Sequence, residues 1–219
     1  MKFAPHNYQQ YCIDRLLLEP ALGLFLDMGL GKTVTTLSAV KELKYYRFAI
    51  HKVLVIEPKK VAEATWSKEA AKREHLQNLR ISTVLGSKNK RVAALAATAD
   101  LYVINRKNVE WLVDYYRNDW PFDMVVVDES SSFKDQSTKR WKALKRIRPR
   151  IKRIVLLTGT PAPNNLIDLW AQLYLLMKVQ DLAEPLAAFV KDISHLISVQ
   201  QKGCLLTSQS MVQRKKSKP

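Results

Sequence analysis

The 219 residues suffice for one well-buried α/β domain, alone or with a tail, and at 47% hydrophobic and 26% charged they exclude a disordered chain. A formal net charge of +16 points to a polyanionic partner, nucleic acid above all. Two cysteines, Cys12 and Cys204, exclude a disulfide framework and indicate a reducing compartment, and the four histidines show no metal-ligand spacing with them.

The N-terminus, M-K-F-A-P-H-N-Y, lacks the apolar core of a signal peptide. No uncharged apolar run approaches the ~18 residues of a membrane span, so a cytoplasmic location is expected. Pro5 to Gln10 leads into a helical pattern carrying Tyr11, Ile13, Leu16 and Leu17. An apolar run from Ala21 to Leu26 then stops at Asp27. Leu24 to Thr33 reads L-F-L-D-M-G-L-G-K-T, and a helical pattern continues through Leu37 and Val40 to about Leu43. Strand, Gly-rich turn, Lys-Thr, helix is the grammar of a phosphate-binding loop. Met28, Gly29, Leu30 and Gly31 form the turn, in which glycine lets the backbone approach an anion closely. The new helix points its unpaired N–H groups and the positive end of its dipole at that anion. Lys32 is expected to reach the outer phosphates and the Thr33 hydroxyl to ligate Mg²⁺. The strict pattern G-x-x-x-x-G-K-[ST] would place glycine where this chain has Leu26.

Val53 to Ile56 is a short apolar run of the kind found in buried parallel strands, stopped by Pro58. Val61 to Glu74 reads as a helix, Ile81 to Leu85 as a strand, and Gly86-Ser87 as a turn before a helix around Val92 to Ala97. Leu101 to Ile104 is a further strand, followed by a helix through Val109, Leu112, Val113 and Tyr116. Met124 to Val127 runs straight into Asp128-Glu129. A basic helix spans roughly Thr138 to Ile147, Ile154 to Leu157 runs into T-G-T-P, and Leu166 to Leu176 is helical. Short apolar strands alternating with helices specify an α/β fold, a parallel sheet covered on both faces. Ligands of such sheets bind beyond the carboxyl ends of the strands, where Asp27 to Thr33, Asp128-Glu129 and Thr158 to Pro161 all fall.

Consecutive residues leaving a strand point in different directions. Asp128 can therefore hold Mg²⁺ while Glu129 orients the attacking water, the division of labour that phosphoryl transfer requires. Thr158, Gly159 and Thr160 form a small hydroxyl-rich turn able to hydrogen-bond the acidic pair and report the state of the phosphate. Lys134 to Arg153 holds ten basic residues against one acid, Asp135, and nucleic-acid phosphates are their natural counter-charge; Lys139 and Arg140 are candidate contacts. Ser130 to Ser132 lack the G-x-S-x-G surround of a hydrolase nucleophile.

Together these segments resemble the first RecA-like lobe of superfamily-two helicases, specifically the Swi/Snf-like DNA translocases and their short phage and bacterial members. The resemblance covers about residues 5 to 176 and rests on five motifs in order. Tyr8-Gln9 is similar to the adenine-reading Gln motif, and D-M-G-L-G-K-T (Asp27 to Thr33) to the family's motif I. V-I-E-P-K-K-V with Trp66 is similar to motif Ia, which implies that Lys59 and Lys60 touch the DNA backbone. D-E-S-S (Asp128 to Ser131) stands at the Asp-Glu-x-His box, with Ser131 at the coupling position, and L-T-G-T-P-A-P-N-N stands at motif III. The resemblance implies a RecA-like P-loop NTPase lobe that binds ATP and Mg²⁺ and moves on DNA, double-stranded rather than single, once a second lobe completes it.

Two departures matter. Ser131 replaces the family's usual His, and no second lobe with its arginine fingers follows in this sequence. Such an arginine is worth roughly 10³ to 10⁵ in rate, so weak hydrolysis is expected unless a second lobe acts in trans. Residues 1–176 read as the ATP-binding domain and 177–219 as a basic tail. Back-translated one base earlier, Met177 to Ser194 regenerates the family pattern, so this tail is expected to be out of frame and poorly ordered. The alternative is a non-motor ATP- and DNA-binding module whose basic tail, Q-R-K-K-S-K-P, grips nucleic acid. A metabolic P-loop kinase is disfavoured by the charge and by acids arranged to handle water.

Overall fold

Six short, largely apolar runs form the strands that the sequence pattern predicts. They are β1 Ala21–Phe25, β2 Val53–Glu57, β3 Ile81–Val84, β4 Leu101–Asn105, β5 Met124–Asp128 and β6 Arg153–Thr158. The computed structural model describes residues 2–58, 65–161, 167–177 and 204–207. The six strands are parallel, in the order β3-β4-β2-β5-β6-β1. β7, Cys204–Thr207, adds an antiparallel strand outside β1, with Leu22 opposite Thr207 and Phe25 opposite Cys204. These four are the described residues of the segment beyond 177.

The pleat of each central strand feeds two cores. Val125 and Val127 pack with α4 Lys88–Ala96, α5 Val109–Tyr116, α6 Lys139–Ile147 and α7 Ile167–Leu176 on one face. Met124 and Val126 pack with α1 Asn7–Leu18, α2 Lys32–Lys41 and α3 Thr65–Lys72 on the other. α2 runs on through a π-helical turn, Glu42–Tyr46. Strands buried on both faces need unbroken apolar runs, which is why their sequences do not alternate. The helix expected over Val61 to Glu74 is present as α3, its first four residues lying outside the described ones. α4 begins earlier than the apolar pattern suggested because the Ser87 side chain accepts from the Lys90 amide and caps it.

Buried acids fasten the loops at the amino ends of the strands. Asp100, wholly buried, accepts from the Arg80 amide (2.8 Å), the Arg80 guanidinium (3.2 Å) and the Tyr45 hydroxyl (2.8 Å), and pairs with Lys44. Asp123 accepts from the amides of His51 and Lys52 and pairs with Lys152 at 2.6 Å. At the end of α7, buried Arg148 donates to the carbonyls of Leu175 (2.5 Å) and Leu176 (3.2 Å). These are the acceptors a helix leaves unpaired at its C-terminus. Among the described residues no helix is long and apolar enough to cross a membrane.

Candidate nucleotide-binding site

The sheet order decides which segments meet. β5, β6 and β1 are neighbours, with Asp128 paired to Leu157 and Thr158 to Phe25. The acids after β5, the T-G-T-P turn after β6 and the glycine turn after β1 therefore leave the sheet side by side. Along the chain the glycine turn lies far from the other two, near residue 30, with the acids at 128 and 129 and the T-G-T-P turn at 158 to 161.

Gly29 and Gly31 both adopt positive φ, 83° and 75°, so each is a position where a side chain would be strained. Gly31 is the N-cap of α2, and a Cβ there would stand 2.6 Å from Gln9 Nε2. Around Gly29 the space is open. Lys32 folds over the loop, its ammonium donating to the carbonyls of Leu26 (2.7 Å) and Asp27 (3.0 Å). Thr33 follows in the first turn of α2. The α1 helix clasps the turn from outside: the Tyr8 hydroxyl and Gln9 Nε2 each donate to the Leu30 carbonyl at 3.3 Å. Gln9 Oε1 accepts from the His6 amide at 3.1 Å, so both ends of that carboxamide are engaged. The opening beside this loop is a cavity of about 700 Å³. Gln9, Met28, Gly29, Gly31, Lys32 and Thr33 line one side, Asp128 and Glu129 another, and Phe3, His6, Glu69 and Arg73 a third. That volume suits a ligand of nucleotide size.

Asp128 ends β5 half-buried. Burial pushes its carboxyl up to about 6; the Glu129 amide, donating to Asp128 Oδ1 at 3.0 Å, opposes this, the Glu129 charge adds to it, and Lys32 and the Trp66 indole oppose it. Glu129 sits at φ 50°, ψ 54°, the left-handed region a non-glycine residue rarely takes, and a strain of about 1–2 kcal/mol is concentrated there. A 3₁₀ turn, Ser130–Phe133, follows. The T-G-T-P turn lies directly on the glycine turn: a Cβ on Gly159 would come 3.4 Å from the Leu26 carbonyl and 3.5 Å from the Met28 nitrogen. Thr158 is buried and its hydroxyl accepts from the Thr160 amide at 3.1 Å, which shapes the turn.

Of the residues assigned to nucleic acid from sequence, Lys59 and Lys60 lie outside the described ones. Lys139 is exposed at the start of α6. Arg140 turns inward, donating to the Ser132 carbonyl through Nε (3.1 Å) and Nη2 (2.7 Å). Ser131 is half-buried, but the hydroxyl that reaches across to the neighbouring helix is that of Ser130, which donates to Gln172 Oε1 at 2.7 Å.

The sequence reading missed Phe3, His6, Glu69 and Arg73 in the cavity wall, and two buried polar residues besides. Glu57 ends β2 just as Asp128 ends β5, yet it is wholly buried and neither carboxyl oxygen has a hydrogen-bond partner. Burial, then the Asp128 charge, pushes it up to about 8, and the Trp66 indole beside it offsets this in part. Its signal was an acid closing an apolar run, V-L-V-I-E, in the same way as M-V-V-V-D. Gln172 was hidden inside the apolar helix L-W-A-Q-L-Y-L-L, where a lone wholly buried amide is itself a signal.

Comparison with known proteins agrees with this geometry. A family model, SNF2-related domain, matches residues 18–215. Protein p41 of Acyrthosiphon pisum secondary endosymbiont phage 1 is 37% identical, over 85% of this chain and 42% of its own length. A human SWI/SNF-related matrix-associated actin-dependent regulator of chromatin, subfamily A member 1, is 29% identical over 69% of this chain and 14% of its own. The chain thus spans less than half the length of these relatives. Among solved structures, the Sulfolobus solfataricus SWI2/SNF2 ATPase core in complex with dsDNA superposes with a TM-score of 0.65 at 26% identity, covering 80% of this chain and 36% of that one. A RecA-like sheet, a glycine turn closed by Lys32, an acid pair and a T-G-T-P turn on adjacent strands, and a family match over most of the sequence converge: the chain belongs to the SNF2-related domain family, as an N-terminal lobe of the Swi/Snf-like helicase type.

Proposed function

We propose that this chain is the ATP- and Mg²⁺-binding lobe of a DNA-dependent ATPase of the Swi/Snf-like translocase type. The observation that carries the reading is that the β5-β6-β1 order sets the acid pair, the T-G-T-P turn and the glycine turn side by side, with the acids and the glycine turn lining one cavity. Gly29 to Thr33 cradle the phosphates, Gln9 and its surroundings receive the base, and Lys32 leaves its loop carbonyls for phosphate oxygens. The donor set at the cation position, the Thr33 hydroxyl and the Asp128 carboxylate, consists of the hard oxygens Mg²⁺ takes. When bound, Mg²⁺ neutralises charge on the phosphate oxygens. Glu129, set apart from Asp128 by its left-handed backbone, orients water and takes its proton. Duplex DNA is the polyanion of choice, supported by the net charge and by the relative solved on dsDNA. A second RecA-like lobe supplies the arginine that completes turnover. The reaction is soluble chemistry and the cytoplasm its setting.

The test is a matched pair of variants. Lys32→Ala should weaken binding of an ATP analogue with Mg²⁺ at least tenfold, about 1.4 kcal/mol. Glu129→Gln should leave that affinity intact and lower ATP turnover, measured with duplex DNA present, by about 10²-fold or more. Unchanged turnover in Glu129→Gln would remove the residue from its role.

A further inference from the structure

Two turns border the acids: Ser130–Phe133 after β5 and Thr158 to Pro161 after β6. One side chain holds both. Gln172 of α7 accepts from the Ser130 hydroxyl through Oε1 at 2.7 Å and donates through Nε2 to the Pro161 carbonyl at 2.6 Å. It is wholly buried, as is Ser130. The orientation of the amide is fixed by its partners, since a carbonyl can accept only from the NH₂ end. Its helix cannot drift: the Trp141 indole donates to the Ala171 carbonyl at 2.9 Å, and Arg148 holds the helix end.

From the other side the same 3₁₀ turn is gripped by Arg140, whose guanidinium makes its two bonds to the Ser132 carbonyl. Arg140 lies in the first turn of the basic helix α6, near the charges of Arg106 and Asp135. Thus a continuous set of contacts runs from the basic helix through Arg140, the Ser130–Phe133 turn, Gln172 and Pro161. It ends where Gly159 lies on the glycine turn. Every link is a hydrogen bond or a backbone packing contact.

We propose that Gln172 is a positioning residue that couples nucleotide occupancy to nucleic-acid binding by holding the acid turn and the T-G-T-P turn to one another. The proposal rests on the nucleotide- and DNA-binding reading above. It predicts that breaking the Ser130–Gln172–Pro161 bridge removes the mutual influence of the two ligands while leaving each able to bind.

The experiment uses the whole chain, a fluorescent non-hydrolysable ATP analogue with Mg²⁺, and a short DNA duplex. Analogue affinity is measured with and without saturating duplex for the natural chain, Gln172→Met, Ser130→Ala and the double variant. The natural chain should show coupling of at least about fivefold, the low end of ordinary coupling between sites. Each single variant should bring that ratio close to one, and the double variant should do no more, because both remove the same link. A purely structural role for Gln172 would lower the melting temperature and leave the ratio unchanged. Ser130→Ala removes one oxygen and keeps the test open should Gln172→Met not fold. Coupling retained in the variants, or absent from a natural chain that binds both ligands, overturns the proposal. A natural chain that binds neither ligand overturns the function on which it rests, and the proposal with it.

Discussion

Glu57 is the residue whose chemistry departs most from its surroundings. A carboxyl that titrates near 4.5 in an unfolded chain is held to about 8 in the folded one. The folded state therefore keeps a proton that the unfolded state releases, and stability must fall as pH rises from about 4.5 to about 8. The full difference is on the order of a few kcal/mol. Glu57→Gln keeps the shape and removes the titration, so it should raise the thermal midpoint at pH 8 and change it little at pH 5. Melting curves at the two pH values, recorded without divalent cation, check this; a variant no more stable at pH 8 would show that the carboxyl reaches water. Gly31 illustrates the opposite case, a position where the sequence already pointed to a tight turn. Its positive φ and the 2.6 Å approach of Gln9 both demand the absence of a side chain.

At the scale of elements, α7 depends on Arg148. This side chain carries a charge into the core, where burial lowers it to about 10, and places its donors on Leu175, Leu176 and Ile151 carbonyls. Arg148→Met would relieve the burial of charge but orphan helix-terminal acceptors, each worth about 1–3 kcal/mol when buried without a partner. A net loss of about 2 kcal/mol is expected, read as a lower midpoint in urea unfolding. The strands were legible because a strand buried on both faces must be an unbroken apolar run. The basic helix α6 was legible because Trp141, Leu144 and Ile147 recur at helical spacing under a cationic face. Less visible were elements specified by partners rather than by period: the left-handed Glu129, the π-helical turn, and β7, whose pairing with β1 has no local signature. Gln172 belongs with these, since its function lies in Ser130 and Pro161 rather than in its own neighbours along the chain.

The whole molecule carries a net charge of +16, and the fastened acids Asp100 and Asp123 are already committed to their own bases. The excess of Lys and Arg over acids is charge that a polyanion would neutralise. Binding to duplex DNA should weaken steeply with salt, log affinity falling linearly with log salt at a slope of about −0.9 for each phosphate neutralised. Lys139→Ala should reduce that slope by about one unit, measured by titration across salt concentrations. A slope near zero would mean that the charge serves some other end. The sequence exposed this bias at once, along with the three segments that the sheet sets side by side. What it left open was the strand order that makes neighbours of β5, β6 and β1, because order follows from how crossovers pack and not from any one strand.

The grip of Arg148 on the last turn of α7 also has a mechanical side. A pull on the chain just beyond Met177 would not peel the helix from its free end, since the final carbonyls are tied to a side chain rooted between α6 and β6. The load would pass instead to the strand that ends in the T-G-T-P turn, which lies against the glycine turn after β1. In this lobe the point where force can enter and the turn beside the candidate site are joined by a single stiff strut.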